Sequence, residues 1–277
     1  MSRLPALGEM ARWALEYWNT DGAKKGSEGK SFFEVGTGHV PIAPIGWFLC
    51  GAGSVVTVDL HRRIEWGLSQ KSLEWMAEHR DEVFGALSGV VDEQLFNERF
   101  SVLTDCQHAP KKFFKRAGIE YLAPMDAAHT ALPDESIDCH FSITVLEHIP
   151  KEIIRDIFLE AKRILKPGGA AIHFVDLSDH FQHQDRSISR INFLRFSEEE
   201  WQLIAGNEFA FCNRLRVTDY MELIKKINFH VVRDELCVDN EAMITLTSGK
   251  IELADEFSGY TDSDICTTSL RILWRPH

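Results

Sequence analysis

Two groups of residues in this 277-residue chain have types and spacings that can do chemistry. The first is Glu34-Val35-Gly36-Thr37-Gly38, followed downstream by Asp59 and Leu60. Glycines permit the tight backbone needed where a strand turns into a helix. A carboxylate about 20 residues further on, at the end of the next strand, is where doubly wound folds meet a ribose. The pattern predicts a nucleoside site. Pro41 stands at the third position of a G-x-G-x-x-G pattern, and Glu34, two residues before the first glycine, suits a cation better than a phosphate. The second group is imidazole-rich. His148 follows Glu147, and His180, His183 and Asp185 form H-x-x-H-x-D. Histidine titrates near neutral pH, so His148 fits a general base as well as a structural histidine of its turn. His180, His183 and Asp185 fit base catalysis or substrate contact as well as an exposed polar loop. Their spacing matches no zinc signature, and no metal is expected. Asn192, Arg195, Asn213, Arg214 and Arg216 lie close in sequence. Guanidinium forks suit a carboxylate or phosphate on a substrate, while Glu198, Glu199 and Glu200 offer ordinary salt-bridge partners.

The elements that must position these residues alternate between strand and helix. Ser31–Val35 and Ser54–Val58 are short apolar runs rich in Val and Phe, as strands of a buried parallel sheet should be. Pro5–Trp18 has Leu7, Met10, Ala14 and Tyr17 or Trp18 at helical spacing, and Asp21–Lys30 reads as a linker. Arg63–Arg80 predicts one helix. Asp81–Gly118 reads as a helical insertion with helices near Val83–Leu87, Asp92–Leu103 and Pro110–Ala117. Lys151–Leu165 carries one apolar stripe and ends at Pro167-Gly168-Gly169, after which Ala170–Asp176 is a strand. Leu177–Leu215 breaks the rhythm and predicts a second insertion. Thr218–Ile227 is a helix, and Phe229–Leu236 with Ser269–Trp274 close the sheet.

The E-V-G-T-G run with Asp59 resembles motif I and the following acidic strand end of class I S-adenosylmethionine-dependent methyltransferases. Tyr121–Ala127 resembles their third strand with its terminal Asp126, Ser136–Ile149 their fourth strand and V-L-E-H-I turn, and Ile164–Asp176 their Pro-Gly-Gly turn and fifth strand. Asp179–Tyr220 is similar to a bacterial subgroup of type 11 methyltransferases. The resemblance spans about half the chain, with a departure where many members carry glycine at the position of Val40. It implies an α/β, Rossmann-like seven-stranded sheet with helices on both faces and an antiparallel C-terminal strand. It implies S-adenosylmethionine as cofactor. Glu34, Gly36, Thr37 and Gly38 would lie round the methionine half, Asp59 and Leu60 at the ribose, Asp126 and Ala127 at the adenine, and Leu146 and Glu147 along the methionine portion. His148, His180 and His183 are the catalytic candidates, and Tyr17, Asp185, Asn192 and Arg195 the substrate-binding ones. The organisation expected is one methyltransferase domain over residues 1–277, with residues 1–30 as a helical lid, 81–118 as a helical insertion and 177–215 as a substrate cap.

Composition narrows the partners. A net charge of −12 argues against general nucleic-acid binding. No apolar run reaches the roughly 18 residues of a membrane span. Six cysteines without a C-x-x-C fit reduced, mostly buried thiols in a cytoplasmic protein. Apolar helices near the N-terminus could cover a pocket or pair two copies as a homodimer. The reading that follows is methyl transfer to a small or medium polar acceptor, at oxygen or nitrogen rather than carbon because histidine bases are at hand. Two alternatives keep the nucleoside site: an S-adenosylmethionine enzyme that releases methylthioadenosine by cyclisation or aminopropyl transfer, and a non-catalytic cofactor-binding module. A nicotinamide dehydrogenase ranks behind these, because of Pro41 and Glu34.

Overall fold

The computed structural model describes residues 3–19, 26–207 and 210–276. Part of the expected linker, residues 21–25, lies outside the described residues. Seven strands form one mixed sheet in the order β3-β2-β1-β4-β5-β7-β6. By tertiary contact the chain forms two compact units, one of Met1–Ile143 and Glu160–Ile172, the other of Thr144–Leu159 and His173–Arg275.

The first unit begins with α1 (Arg3–Trp18), whose buried stripe of Leu4, Leu7, Met10, Ala11 and Ala14 follows helical spacing. Next come β1 (Ser31–Val35), α2 (Ile42–Leu49) and β2 (Ser54–Val58). Helix α2 is buried at every residue, and its Gly46 lets Leu7 approach so closely that a Cβ there would collide with Leu7 Cδ2. Pro44 sits in the first turn of α2, where its missing N–H costs no helix hydrogen bond. Strand β1 pairs in parallel with β2 on one side and with β4 (Ile137–Ile143) on the other. Phe32, at the start of β1, stacks on Trp47 with centroids 4.1 Å apart, and Phe141 of β4 meets Trp47 edge-on.

Between β2 and β4 the chain forms α3 (Trp66–Glu78), α4 (Arg80–Ala86), α5 (Glu93–Cys106), α6 (Pro110–Ala117) and β3 (Ile119–Leu122). The insertion is helical as expected, but Arg63–Arg80 is not one helix. His79 leaves helical angles at φ −118°, ψ 43°, and α4 starts after it. Strand β3 also stops short of Asp126. Pro124 has no N–H to continue a ladder, so Asp126 lies in the loop beyond the strand rather than at its end.

Helix α7 (Lys151–Ile164) leads into β5 (Leu165–Asp176), which starts before Pro167-Gly168-Gly169 and takes the expected turn into the strand. Gly168, at φ 77°, supplies the left-handed backbone there.

The second unit adds α8 (Glu198–Ala205), α9 (Val217–Lys226), β6 (Phe229–Val238), α10 (Asn240–Thr247), α11 (Asp262–Ile265) and β7 (Thr267–Pro276). Thr268 bonds to the Cys237 carbonyl and Arg271 pairs with Glu235, so index rises along β7 as it falls along β6, the mark of an antiparallel pair. Trp274 stacks on Phe229 at 4.1 Å and meets Phe158 and His173. A second apolar cluster gathers Ile191, Phe193, Leu194, Trp201 and Cys212 under the expected cap, where α8 forms behind a Ser197–Glu200 capping box. Five of the six cysteines are buried, and Cys237 is exposed. Among the described residues no helix is long and apolar enough to cross a membrane.

Candidate active site

In the first unit, the turn after β1 is built from two glycines in left-handed backbone, Gly36 at φ 80° and Gly38 at φ 72°. Gly36 N–H and Thr37 N–H both donate to the Val58 carbonyl, which folds the turn against β2. Gly38 N–H points at the carboxylate of Asp59, 3.2 Å from Oδ2, and the Tyr121 hydroxyl lies 3.4 Å from the same oxygen. Both bonds are long, so the Asp59 oxygens keep capacity for further donors. Burial raises the pKa of Asp59 above the usual carboxylate value. Leu60 beside it is 64% exposed.

Glu34 lies under this turn and is 1% exposed. Thr57 donates to its Oε2 at 2.5 Å, and Thr57 in turn shares a hydrogen bond with Thr37. Burial pushes the Glu34 carboxyl up to about 8, against the Thr57 hydrogen bond and the positive charge of Arg3. Arg3 itself, at the start of α1, donates to the Thr37 carbonyl at 3.4 Å. The expected lid helix therefore presents Arg3 to the glycine turn. Tyr17 lies 14 positions on, about 20 Å along the helix at its rise per residue, beside Trp18, which packs on Phe32 at the opposite end of β1. Asp126 accepts from Ala128 N–H and pairs with His129, and Ala127 is buried.

The second unit holds the imidazoles. After β4 comes Thr144, at φ 51°, a left-handed backbone that costs a β-branched residue energy and is common at functional sites. A 3₁₀ turn, Leu146–His148, follows. Asn213 fastens it: its N–H donates to the Glu147 carbonyl, and its Nδ2 to the carbonyls of Leu146 and Ile149 at 2.8 and 2.7 Å. Leu146 and Glu147 are buried, whereas His148 is exposed. His148 Nδ1 lies 2.9 Å from the Phe211 carbonyl. A carbonyl only accepts, so Nδ1 carries the proton and Nε2 the lone pair. Asn213→Ala is expected to lower the unfolding free energy by about 1–3 kcal/mol, since it removes two side-chain hydrogen bonds while the Leu146 carbonyl keeps the one from Ile149 N–H. Urea unfolding checks this; a loss under about 0.5 kcal/mol would mean the turn holds itself.

His180 and His183 share a second 3₁₀ turn, capped by Asp179, whose side chain accepts from Phe181 N–H. Their rings stack at 5.2 Å, and the His148 and His180 rings lie 4.9 Å apart. Asp176 Oδ2 is 3.8 Å from His180 Nε2 and 3.6 Å from His183 Nε2. Burial lowers the pKa of His180, and Asp176 opposes that shift. The fold thus brings together His148, His180, His183 and Glu147. It does not bring Asp185 to them, because that side chain closes its own turn on Ser187. Asn192 and Arg195 line a separate cleft of about 460 Å³ with Arg186, Arg190 and Lys250. Arg214, 2% exposed on its side chain, pairs with Glu198 and Glu256, and buried Arg216 donates to the carbonyls of Leu177, Ile265 and Thr267. Both arginines hold the second unit together.

Sequence reading missed Thr57, Tyr121, Arg3 and Asp176 as site residues. Asp176 had a usable signal, since it is a carboxylate at the carboxyl end of a strand, as Asp59 is. Thr57, Tyr121 and Arg3 had none, because their roles come from neighbours across strands and helices.

A family model described as a methyltransferase domain matches residues 84–173. That match covers about a third of the chain, and the strand order bears on the fold of the whole sheet. The fold is that of the class I S-adenosylmethionine-dependent methyltransferases. The fold is shared with geranyl diphosphate C-methyltransferase from Streptomyces coelicolor A3(2), solved with Mg2+, geranyl diphosphate and S-adenosyl-L-homocysteine, at TM-score 0.51 and 13% identity over 98% of this chain and 79% of that one. A geranyl diphosphate methyltransferase solved with S-adenosylmethionine matches at TM-score 0.50 and 11% identity over 98% and 85%. Magnesium protoporphyrin IX methyltransferase from Synechocystis PCC 6803, with S-adenosyl-L-homocysteine, matches at 0.46 and 10% over 98% and 83%. No curated protein matches the sequence.

The methyltransferase domain implies S-adenosylmethionine as cofactor, and the residues of the first unit fit it chemically. Asp59 keeps acceptor capacity for a ribose diol. Glu34 is a buried carboxylate whose ionisation a cation would favour and a phosphate would oppose.

Proposed function

We propose that this protein moves the methyl group of S-adenosylmethionine to a small or medium polar acceptor, at oxygen or nitrogen. The observation that carries the reading is Glu34, a carboxylate held almost wholly away from water beneath a glycine turn. Its chemistry suits the ammonium and sulfonium of S-adenosylmethionine. In this reading Glu34 and the Gly36–Gly38 turn hold the methionine half, and Asp59 accepts from the ribose hydroxyls. Methyl transfer from a sulfonium is an in-line displacement, so the protein's work is binding, aim and exclusion of water. A base is required when the acceptor must lose a proton, and His148, with its Nε2 lone pair and exposed ring, supplies one.

Calorimetric titration with S-adenosylmethionine and S-adenosylhomocysteine tests the cofactor assignment. Micromolar binding of either supports it, and absence of binding to both would sink it. Product analysis then separates the chemistries: S-adenosylhomocysteine marks methyl transfer, and methylthioadenosine marks attack on the aminopropyl chain. With an acceptor in hand, His148→Ala is expected to lower turnover about 100-fold or more while cofactor affinity stays within about twofold. Unchanged turnover would return His148 to a structural role.

A further inference from the structure

Glu147 and His148 are adjacent in sequence, and His180 lies far downstream on the turn after β5. Folding of the second unit brings one ligand-type atom from each to within 4.8 Å of the other two. We propose that Glu147, His148 and His180 bind a single divalent transition-metal ion. This inference goes beyond the methyl-transfer reading and does not depend on it.

The donor set names the class of ion. Two imidazole nitrogens and one carboxylate oxygen suit zinc or iron(II), whereas magnesium and calcium prefer oxygen alone. Ligand atoms about 2.1 Å from one tetrahedral zinc lie about 3.4 Å apart, so side-chain movements of about an ångström would close the set on an ion.

The surroundings are those of ligands held for a metal. Metal-bound histidines commonly donate their other ring N–H to a carbonyl or carboxylate, which fixes the ring and its tautomer. His148 does so through Nδ1 to the Phe211 carbonyl. His180 Nε2 is buried and makes no hydrogen bond, and an Asp176 carboxylate oxygen stands 3.8 Å away. Glu147 is 1% exposed, a setting in which a carboxylate gains most from a nearby cation. Asn213 clamps the Glu147–His148 turn and Asp179 caps the His180 turn, so both ligand-bearing segments are fixed by hydrogen bonds. Three protein ligands leave a coordination position open for water or for an acceptor oxygen, whose proton the ion would make more acidic. With the ion bound, the His148 lone pair would be spent on the metal, and the ion would take over from His148 the task of promoting loss of the acceptor proton.

The test uses the untagged full chain, stripped with a chelator and titrated with Zn2+ by calorimetry without S-adenosylmethionine. One equivalent is expected to bind with submicromolar affinity. His180→Ala and Glu147→Gln are each expected to weaken it at least about 100-fold, with circular dichroism confirming that the variants fold. Less than one equivalent on the wild type, or undiminished binding by folded variants, overturns the proposal. Should the variants misfold, one equivalent of Co2+ on the wild type decides. Visible d–d bands of a site with nitrogen and oxygen ligands support the proposal, and their absence overturns it.

Discussion

Glu34→Gln is expected to weaken S-adenosylmethionine binding about 100-fold and, at pH 9, to raise the stability of the ligand-free protein. Both effects come from one buried charge. Glu34 is 1% exposed, and burial moves its carboxyl up to about 8. In the unfolded chain it titrates near 4.5, so between these values the folded state holds a proton that the unfolded state has lost. The folded state is therefore favoured at low pH, and its advantage falls as pH rises from about 4.5 to about 8, then levels. Glutamine keeps an amide oxygen for Thr57 and carries no charge, so the variant escapes that fall. The gap between variant and wild type should widen across this window and reach several kilocalories per mole at its upper end, since each tenfold difference in proton affinity between the folded and unfolded states is worth about 1.4 kcal/mol. Thermal unfolding at pH 6 and pH 9 measures it. A wild type that holds its stability as well as the variant between those points would refute the charge argument.

The same carboxyl makes binding proton-linked. At pH 7 Glu34 is mostly protonated in the free protein, and a bound cation favours its ionised form. Binding of S-adenosylmethionine should then release up to one proton, seen as a binding enthalpy that differs between phosphate and Tris buffers. Affinity should rise from pH 6.5 to 8.5 and then level. Glu34→Gln should lose the buffer dependence along with most of the affinity. Identical enthalpies in the two buffers would place the cofactor's cations elsewhere.

The second large effect belongs to Asp59. Asp59→Ala removes the acceptor facing the ribose, and charge-assisted hydrogen bonds of this kind are worth about 1.5–3 kcal/mol, or roughly 10- to 150-fold in affinity. The side chain is partly exposed, and its bonds from Gly38 N–H and the Tyr121 hydroxyl are long, beside a hydrogen bond with Thr37, so the variant should fold. S-adenosylhomocysteine carries the same ribose and should lose the same factor. Calorimetry with both ligands checks the result, and unchanged affinity would remove Asp59 from the ribose.

The local signals fared unevenly, for physical reasons. β1, β2, α6 and α9 were legible because an apolar run or stripe states its own period. The turn after β1 was legible because Gly36 and Gly38 adopt backbone angles that few other residues accept. The extent of β3 was not, since a strand ends where its partner's hydrogen bonds end, and Pro124 closes the ladder before Asp126. Nor were α8 and α10, short helices whose buried faces are settled by packing in the second unit. The substrate candidates were scattered for a similar reason. Asp185 satisfies itself on Ser187, Asn192 and Arg195 line their own cleft, and Tyr17 sits at the far end of a helix whose first residue reaches the glycine turn.

By itself the sequence determined β1, β2, the two-glycine turn between them and the carboxylates Glu34 and Asp59, because each depends on neighbours close along the chain. Only the tertiary structure decided that Thr57 and Arg3 tune Glu34, that Asn213 fastens the Glu147–His148 turn, and that His180 arrives beside them. Those relations join segments tens of residues apart, and no residue's type or local spacing records which distant partner the packed chain will bring to it.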